Sequence, residues 1–233
     1  MTPVTAMSGS SRKALSTFSC REVSSVPLEE GAGAVVVVGV ALALLSLATV
    51  VSTAMIYAAL KPIPAWRHRL VPLVYLLFAL LTGGLPMLGS IARGDEGVDA
   101  ALPALLVASG LALLLAKLAY WRDIDRTPLP QTRGDAVGLP GRTPTVFERP
   151  HTEGNFITRE MAFAIARRHA RLLRAASVLL FAVVPLLCLL AGWRQHGGDA
   201  WLWPLATGSA IAGAFVERWL FFAQARHLVT LYY

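Results

Sequence analysis

Residues 31–60 read GAGAVVVVGVALALLSLATVVSTAMIYAAL, thirty in a row without Asp, Glu, Lys or Arg. Roughly 20 apolar residues in a helix cross the hydrocarbon core of a bilayer, so this run spans with length to spare for tilt. A helix on the surface of a soluble domain would carry a charged, solvated face, and this one carries no charge at all. Working outward, four further uncharged runs follow at 70–92, 100–116, 175–193 and 200–216. The five runs occupy nearly half of the 233 residues, in a chain that is 55% hydrophobic and only 15% charged, with mean hydropathy +0.58. A soluble enzyme, a disordered chain and a disulfide scaffold are excluded on these grounds. The expected fold is all-α: a polytopic integral membrane helical bundle of five transmembrane helices, at about 31–60, 70–92, 100–120, 175–193 and 200–223.

The polar segments set the organisation. Residues 1–30 are Ser-rich, lack the apolar core of a signal peptide, and are read as a disordered tail. The sequence KPIPAWRHR (61–69) places two prolines and Trp66 at an interfacial turn. Lys117, Tyr120 and Trp121 close the third span as an aromatic belt, with a lysine expected to snorkel toward the headgroups. Residues 122–173 form a hydrophilic loop, Pro/Gly-rich over 127–151 and then, over 157–174, patterned as a basic helix for the membrane surface. Lys and Arg number 15 on the side holding 61–69, 117–174 and Arg226, against 5 on the other, Arg218 being set aside as intramembrane. The positive-inside rule therefore puts the long loop and the C-terminus in the cytoplasm. The net charge of +7 reports this orientation, and nucleic acid is not an expected partner.

Cys20 and Cys188 are too few to hold an iron–sulfur cluster, and His68, His151, His169, His196 and His227 all lie outside the uncharged runs, so bis-histidine haem is disfavoured. No metal-binding or nucleotide-binding motif occurs at a plausible place. The informative pair is Glu217–Arg218, which interrupts an otherwise apolar stretch. Were the fifth helix to continue to about Tyr232, both charges would lie in the inner half of the bilayer, at a cost of about 2.5–3.5 kcal/mol each on insertion scales unless they face the bundle and find partners. The alternative is that the membrane ends at Val216 and both charges anchor at the interface. Ser46, Thr49, Thr53 and Tyr57 form a polar stripe leading to Lys61, readable as helix-packing hydroxyls or as one wall of a pocket. A quinone needs an apolar slot and a hydrogen-bonding, protonatable group at each ring oxygen. Glu217, Arg218, His227, Tyr57 and Lys61 are the candidates, with Glu217 or His227 as proton acceptor and Arg218 holding Glu217 ionised.

Four strings in order, LATVVSTAMIYAALKPIPAW (47–66), LAKLAYWR (115–122), ERPHTEGNFITREMAFAIARRHARLLR (148–174) and FVERWLFFAQARHLVTLYY (215–233), resemble the membrane-anchor subunit of dimethyl sulfoxide reductase-type enzymes. That resemblance, over about residues 40–233, implies a bacterial inner-membrane subunit that oxidises menaquinol. It binds no cofactor of its own and delivers electrons to an iron–sulfur subunit and then a molybdopterin catalytic subunit. The family has eight helices, and MIYAALKPIPAW is similar to the end of its fourth, so three N-terminal helices are expected to be missing here. The family's quinol-associated histidine has no counterpart, and Glu30, in LEEG, is a stand-in for its glutamate. Arg149, His151, Arg159 and Glu160 are the candidates for partner docking. The expectation is thus a non-catalytic or quinol-oxidising anchor subunit. The competing class is a non-redox membrane protein, a passive anchor or a transporter fragment.

Overall fold

The computed structural model describes residues 28–93, 99–145, 166, 168–194, 201–226 and 228–231. Every regular element among them is helical. In chain order these are α1 (Leu28–Ala58), α2 (Leu70–Ile91), α3 (Ala101–Arg126), the single turn α4 (Arg133–Ala136), α5 (Ala170–Val178), a π-helical turn (Leu179–Val183), α6 (Val184–Arg194), α7 (Leu202–Ala223) and a 3₁₀ turn (Leu228–Leu231). The protein is an all-α membrane bundle. Among the described residues four helical segments, Gly33–Ala58, Leu70–Ile91, Ala101–Arg126 and Ala170–Gly192, are long and apolar enough to cross a bilayer. The fifth, α7, is another largely apolar helix of 22 residues that carries Glu217 and Arg218.

The chain divides into two units after Leu47. In its described part the first is the N-terminal stretch of α1, whose side chains from Gly33 to Leu47 are all exposed. An apolar surface all round a helix suits lipid. The helix starts at Leu28, inside the segment read as tail; residues 1–27 lie outside the described set.

In the second unit, Ala48–Tyr233, α2 packs on α3 and on α7, while α5, the π turn and α6 run along α7. The core between them holds Leu81, Leu85 and Leu88 of α2, Leu106 and Leu113 of α3, Phe181 and Leu189 of the α5–α6 rod, and Ala206 and Ala210 of α7. Lipid tails are as apolar as leucine, so close packing and interhelical hydrogen bonds hold such an interface. Small residues permit the approach. A Cβ on Gly213 would meet the Phe181 backbone nitrogen at 2.5 Å, and one on Gly89 would meet Trp203 Cβ at 2.9 Å.

Pro185 explains the π turn. In the turn the Val184 N–H donates to Leu179 O, five residues back. The next donor in that register would come from residue 185, which as proline has no N–H. Ser209 Oγ on α7 donates to the stranded Leu180 carbonyl instead, at 2.6 Å. α3 continues to Arg126, six residues beyond the span expected to end near Tyr120. α7 stops at Ala223, so one helix running to Tyr232 is not what forms. The surface helix expected over 157–174 falls largely outside the described residues, and from Ala170 the chain is already in the rod that crosses.

Candidate functional site

Two polar constellations lie within this frame. The first is inside the bundle. Lys117, on the buried face of α3, directs its Nζ to Glu217 Oε1, and Arg218 donates to Glu217 Oε2 through Nε at 2.6 Å, with its Nη2 2.5 Å from the same oxygen. Lys117 is 1% exposed and Glu217 is fully buried. The snorkelling expected of Lys117 does not occur. Its ammonium lies 4.2 Å from the Tyr120 ring centroid and 4.8 Å from that of Trp121, so the aromatic belt encloses it. Ion pairs out of water lose hydration and regain it only with good geometry and full pairing; here both carboxylate oxygens are engaged. The Arg218 guanidinium also stacks 4.3 Å from Tyr75 and 4.8 Å from Phe221, and its Nη1 is buried with no hydrogen-bond partner among the described residues.

Aromatic rings roof this triad. Tyr57 at the end of α1 meets Trp66 at 5.4 Å, Tyr75 at 6.0 Å and Phe221 at 5.6 Å between ring centroids. Trp66 Nε1 donates to Phe221 O at 3.0 Å, fixing the 61–69 turn to α7, and Tyr120 Oη donates to Ala65 O at 3.1 Å, fixing it to α3.

The second constellation lines a groove of about 470 Å³ between that turn, the last turn of α3, the start of α5 and the end of α7. His68 Nδ1 accepts the Leu70 N–H at 3.2 Å, which places its ring proton on Nε2, facing Asp123 Oδ2 at 3.3 Å. Opposite, Arg174 forms a two-bond fork with Asp125, 2.6 Å to Oδ2 and 2.9 Å to Oδ1. It also donates to Gln224 Oε1 from Nε at 3.2 Å and Nη2 at 2.9 Å. A guanidinium has no acceptor, so the Gln224 amide is oriented with its oxygen inward. The amide nitrogen is left buried without a partner among the described residues. Pro64, Ala65, Ile124 and Leu129 supply apolar wall.

Of the residues singled out from sequence, Glu217, Arg218 and Tyr57 come together around Tyr75 and Phe221. Lys61 stands apart on the surface, in a shallow depression with Arg67, His68 and Arg69. Thr53 donates to Thr49 O of its own helix at 2.8 Å and is exposed. Glu30 lies at the start of α1 with no described side chain; His227, Arg149, His151, Arg159 and Glu160 lie outside the described residues. Sequence reasoning missed Lys117 as a partner of Glu217, and missed the His68, Asp123 and Gln224 groove. Lys117 lies nine residues before the end of α3, but with the span read as ending near Tyr120 no local signal set it apart from an interfacial lysine.

These features define a multi-pass helical membrane protein with a paired charge cluster inside the bundle and a polar groove at one end. The chain is similar to a sulfite dehydrogenase subunit of Allochromatium vinosum, with 32% identity over 188 residues that cover 81% of this chain and 57% of that subunit. It thus spans a little over half the length of the curated relative it matches. No protein-family model matches the chain, and no solved structure does.

Proposed function

We infer that this protein is the membrane subunit of a multi-subunit oxidoreductase. In this reading it anchors soluble electron-transfer and catalytic subunits to a bacterial cytoplasmic membrane and exchanges two electrons and two protons with a membrane quinone. The relative's name supports the oxidoreductase class and the subunit role. The resemblance to dimethyl sulfoxide reductase anchors makes menaquinol the expected quinol and puts iron–sulfur and molybdopterin groups on the partners. The quinone carries the redox chemistry and the protein supplies binding and proton acceptors.

The observation that carries this reading is the groove. It joins apolar wall to an ionisable pair, His68 and Asp123, and an amide donor at Gln224 that has no partner among the described residues, at the basic end of a membrane bundle. The triad has the other character: both Glu217 oxygens are already bound to cations, so in this reading Glu217, Arg218 and Lys117 lock the helices beneath the site, and Tyr57 helps to roof them.

The test is a titration of membranes containing the full chain with a fluorescent hydroxyquinoline N-oxide, a quinol analogue. Saturable quenching at about one site per chain is expected. Quenching no different from empty membranes overturns the reading and leaves a passive anchor.

A further inference from the structure

Resting on that reading, we propose that Asp123 is the group that exchanges a proton with one oxygen of the quinone ring, with His68 positioning its carboxylate. The Gln224 amide nitrogen donates to the other oxygen. Three observations converge on this. First, Asp123 lies in the last turn of α3, where the helix outruns its apolar stretch. Asp123 lines the groove, its side chain is 43% exposed, and its Oδ2 faces His68 Nε2 at 3.3 Å. Second, the imidazole is fixed at its other nitrogen by the Leu70 N–H. Its Nε2–H is thereby aimed at Asp123 Oδ2 and orients a carboxylate that lines the groove. Third, Arg174 fixes the amide of Gln224 through Oε1, and Asp125 in turn holds Arg174. A buried, oriented N–H donor without an acceptor is costly to leave unpaired, and a ring carbonyl is an acceptor of the required kind.

In the oxidising direction the O–H bond of the hydroquinone beside Asp123 breaks and its proton passes to the carboxylate. The second phenolic proton leaves to water at the open mouth of the groove. The two electrons leave one at a time to the one-electron iron–sulfur carrier expected on the partner. The same steps reversed reduce a quinone, with Asp123 returning the proton.

The test uses the full chain in membranes and the same hydroxyquinoline N-oxide. Gln224→Glu keeps, and tightens, the pairing with Arg174 while replacing the spare donor by an acceptor oxygen, so the fold is retained and probe affinity falls at least tenfold. Leu129→Trp fills the groove from a loop and gives a loss of the same size. In membranes holding the assembled complex, Asp123→Asn lowers kcat for a short-chain menaquinol about 100-fold, in the range of general acid–base catalysis, with KM within threefold of native. If the native chain quenches the probe and neither Gln224→Glu nor Leu129→Trp weakens it, the groove assignment falls while the quinone reading stands. If Asp123→Asn turns over at the native rate, Asp123 has no part in proton exchange. If the native chain does not quench, both fall together.

Discussion

Lys117 and Glu217, one hundred residues apart in sequence, are joined inside the helical bundle, with Arg218 closing the other side of the same carboxylate. The two cations share one anion, so the positions are unequal. Glu217→Met strands two positive groups, at a cost of about 3–5 kcal/mol for a buried pair broken on one side. Lys117→Met leaves Glu217 still held by Arg218 and costs less, about 1–3 kcal/mol. Thermal unfolding midpoints in detergent should rank native above Lys117→Met and Lys117→Met above Glu217→Met. The reverse order would mean that the triad is not the lock described.

The contact of α7 with the π turn has no room to spare. Gly213→Ala brings a methyl against the Phe181 backbone, which cannot yield as a side-chain tip does. Overpacking of this kind costs about 1–3 kcal/mol. Ser209→Ala removes the hydroxyl that satisfies the Leu180 carbonyl and should cost about 0.5–1.5 kcal/mol. The two changes bear on one contact, so the double variant should lose less than the two losses added together. A double-mutant cycle on unfolding midpoints reads this directly.

One pH dependence is local. Asp135 accepts from the Thr132 backbone N–H at 2.8 Å and its hydroxyl at 2.7 Å, while its own N–H donates back to Thr132 Oγ1. These bonds hold its carboxyl below the usual carboxylate value. A depressed folded value means that the turn gains from ionised Asp135 at any pH above the ordinary carboxylate pKa. The gain is lost as pH falls through the lower folded value. Amide exchange at Ala136 and Val137, corrected for its intrinsic pH dependence, should stay protected at neutral pH and lose protection in that acidic window. Asp135→Asn should flatten the profile.

The orientation is tested by labelling. With Cys20 and Cys188 replaced by serine and alanine, a cysteine at Val137, 53% exposed, should react with an impermeant maleimide only in inside-out vesicles. A cysteine at Ala100, also exposed, should react only in right-side-out ones. The opposite pattern would invert the arrangement derived from the basic residues.

The uncharged runs were enough to foresee helices and membrane, because the cost of burying unpaired backbone in lipid leaves little else for such stretches to become. Charge near a helix end was less legible. Lys117 four residues from Trp121 reads equally well as a snorkelling side chain and as a buried one. What decides between them is Glu217 on another helix, and no local pattern encodes that pairing. The groove was hidden for a related reason. Asp123 and Asp125 sit where hydropathy ends but helical hydrogen bonding does not, so they read as loop. His68 and Gln224 flank helix ends, positions whose meaning depends on how four segments converge. Glu217 was singled out because it interrupts an apolar run, and the structure buries it completely.

The π turn at Leu179–Val183 also acts as a phase-setter. One added residue in a helix rotates everything beyond it by about 100°, so the turn fixes which compass direction Arg174 takes relative to the half of the rod packed through Leu189 on the core. Deleting a single residue there would restore uniform winding and keep the apolar length, yet it would swing Arg174 off Asp125 and Gln224. Through this irregularity, the spelling of a greasy segment governs the aim of a cation at the water's edge.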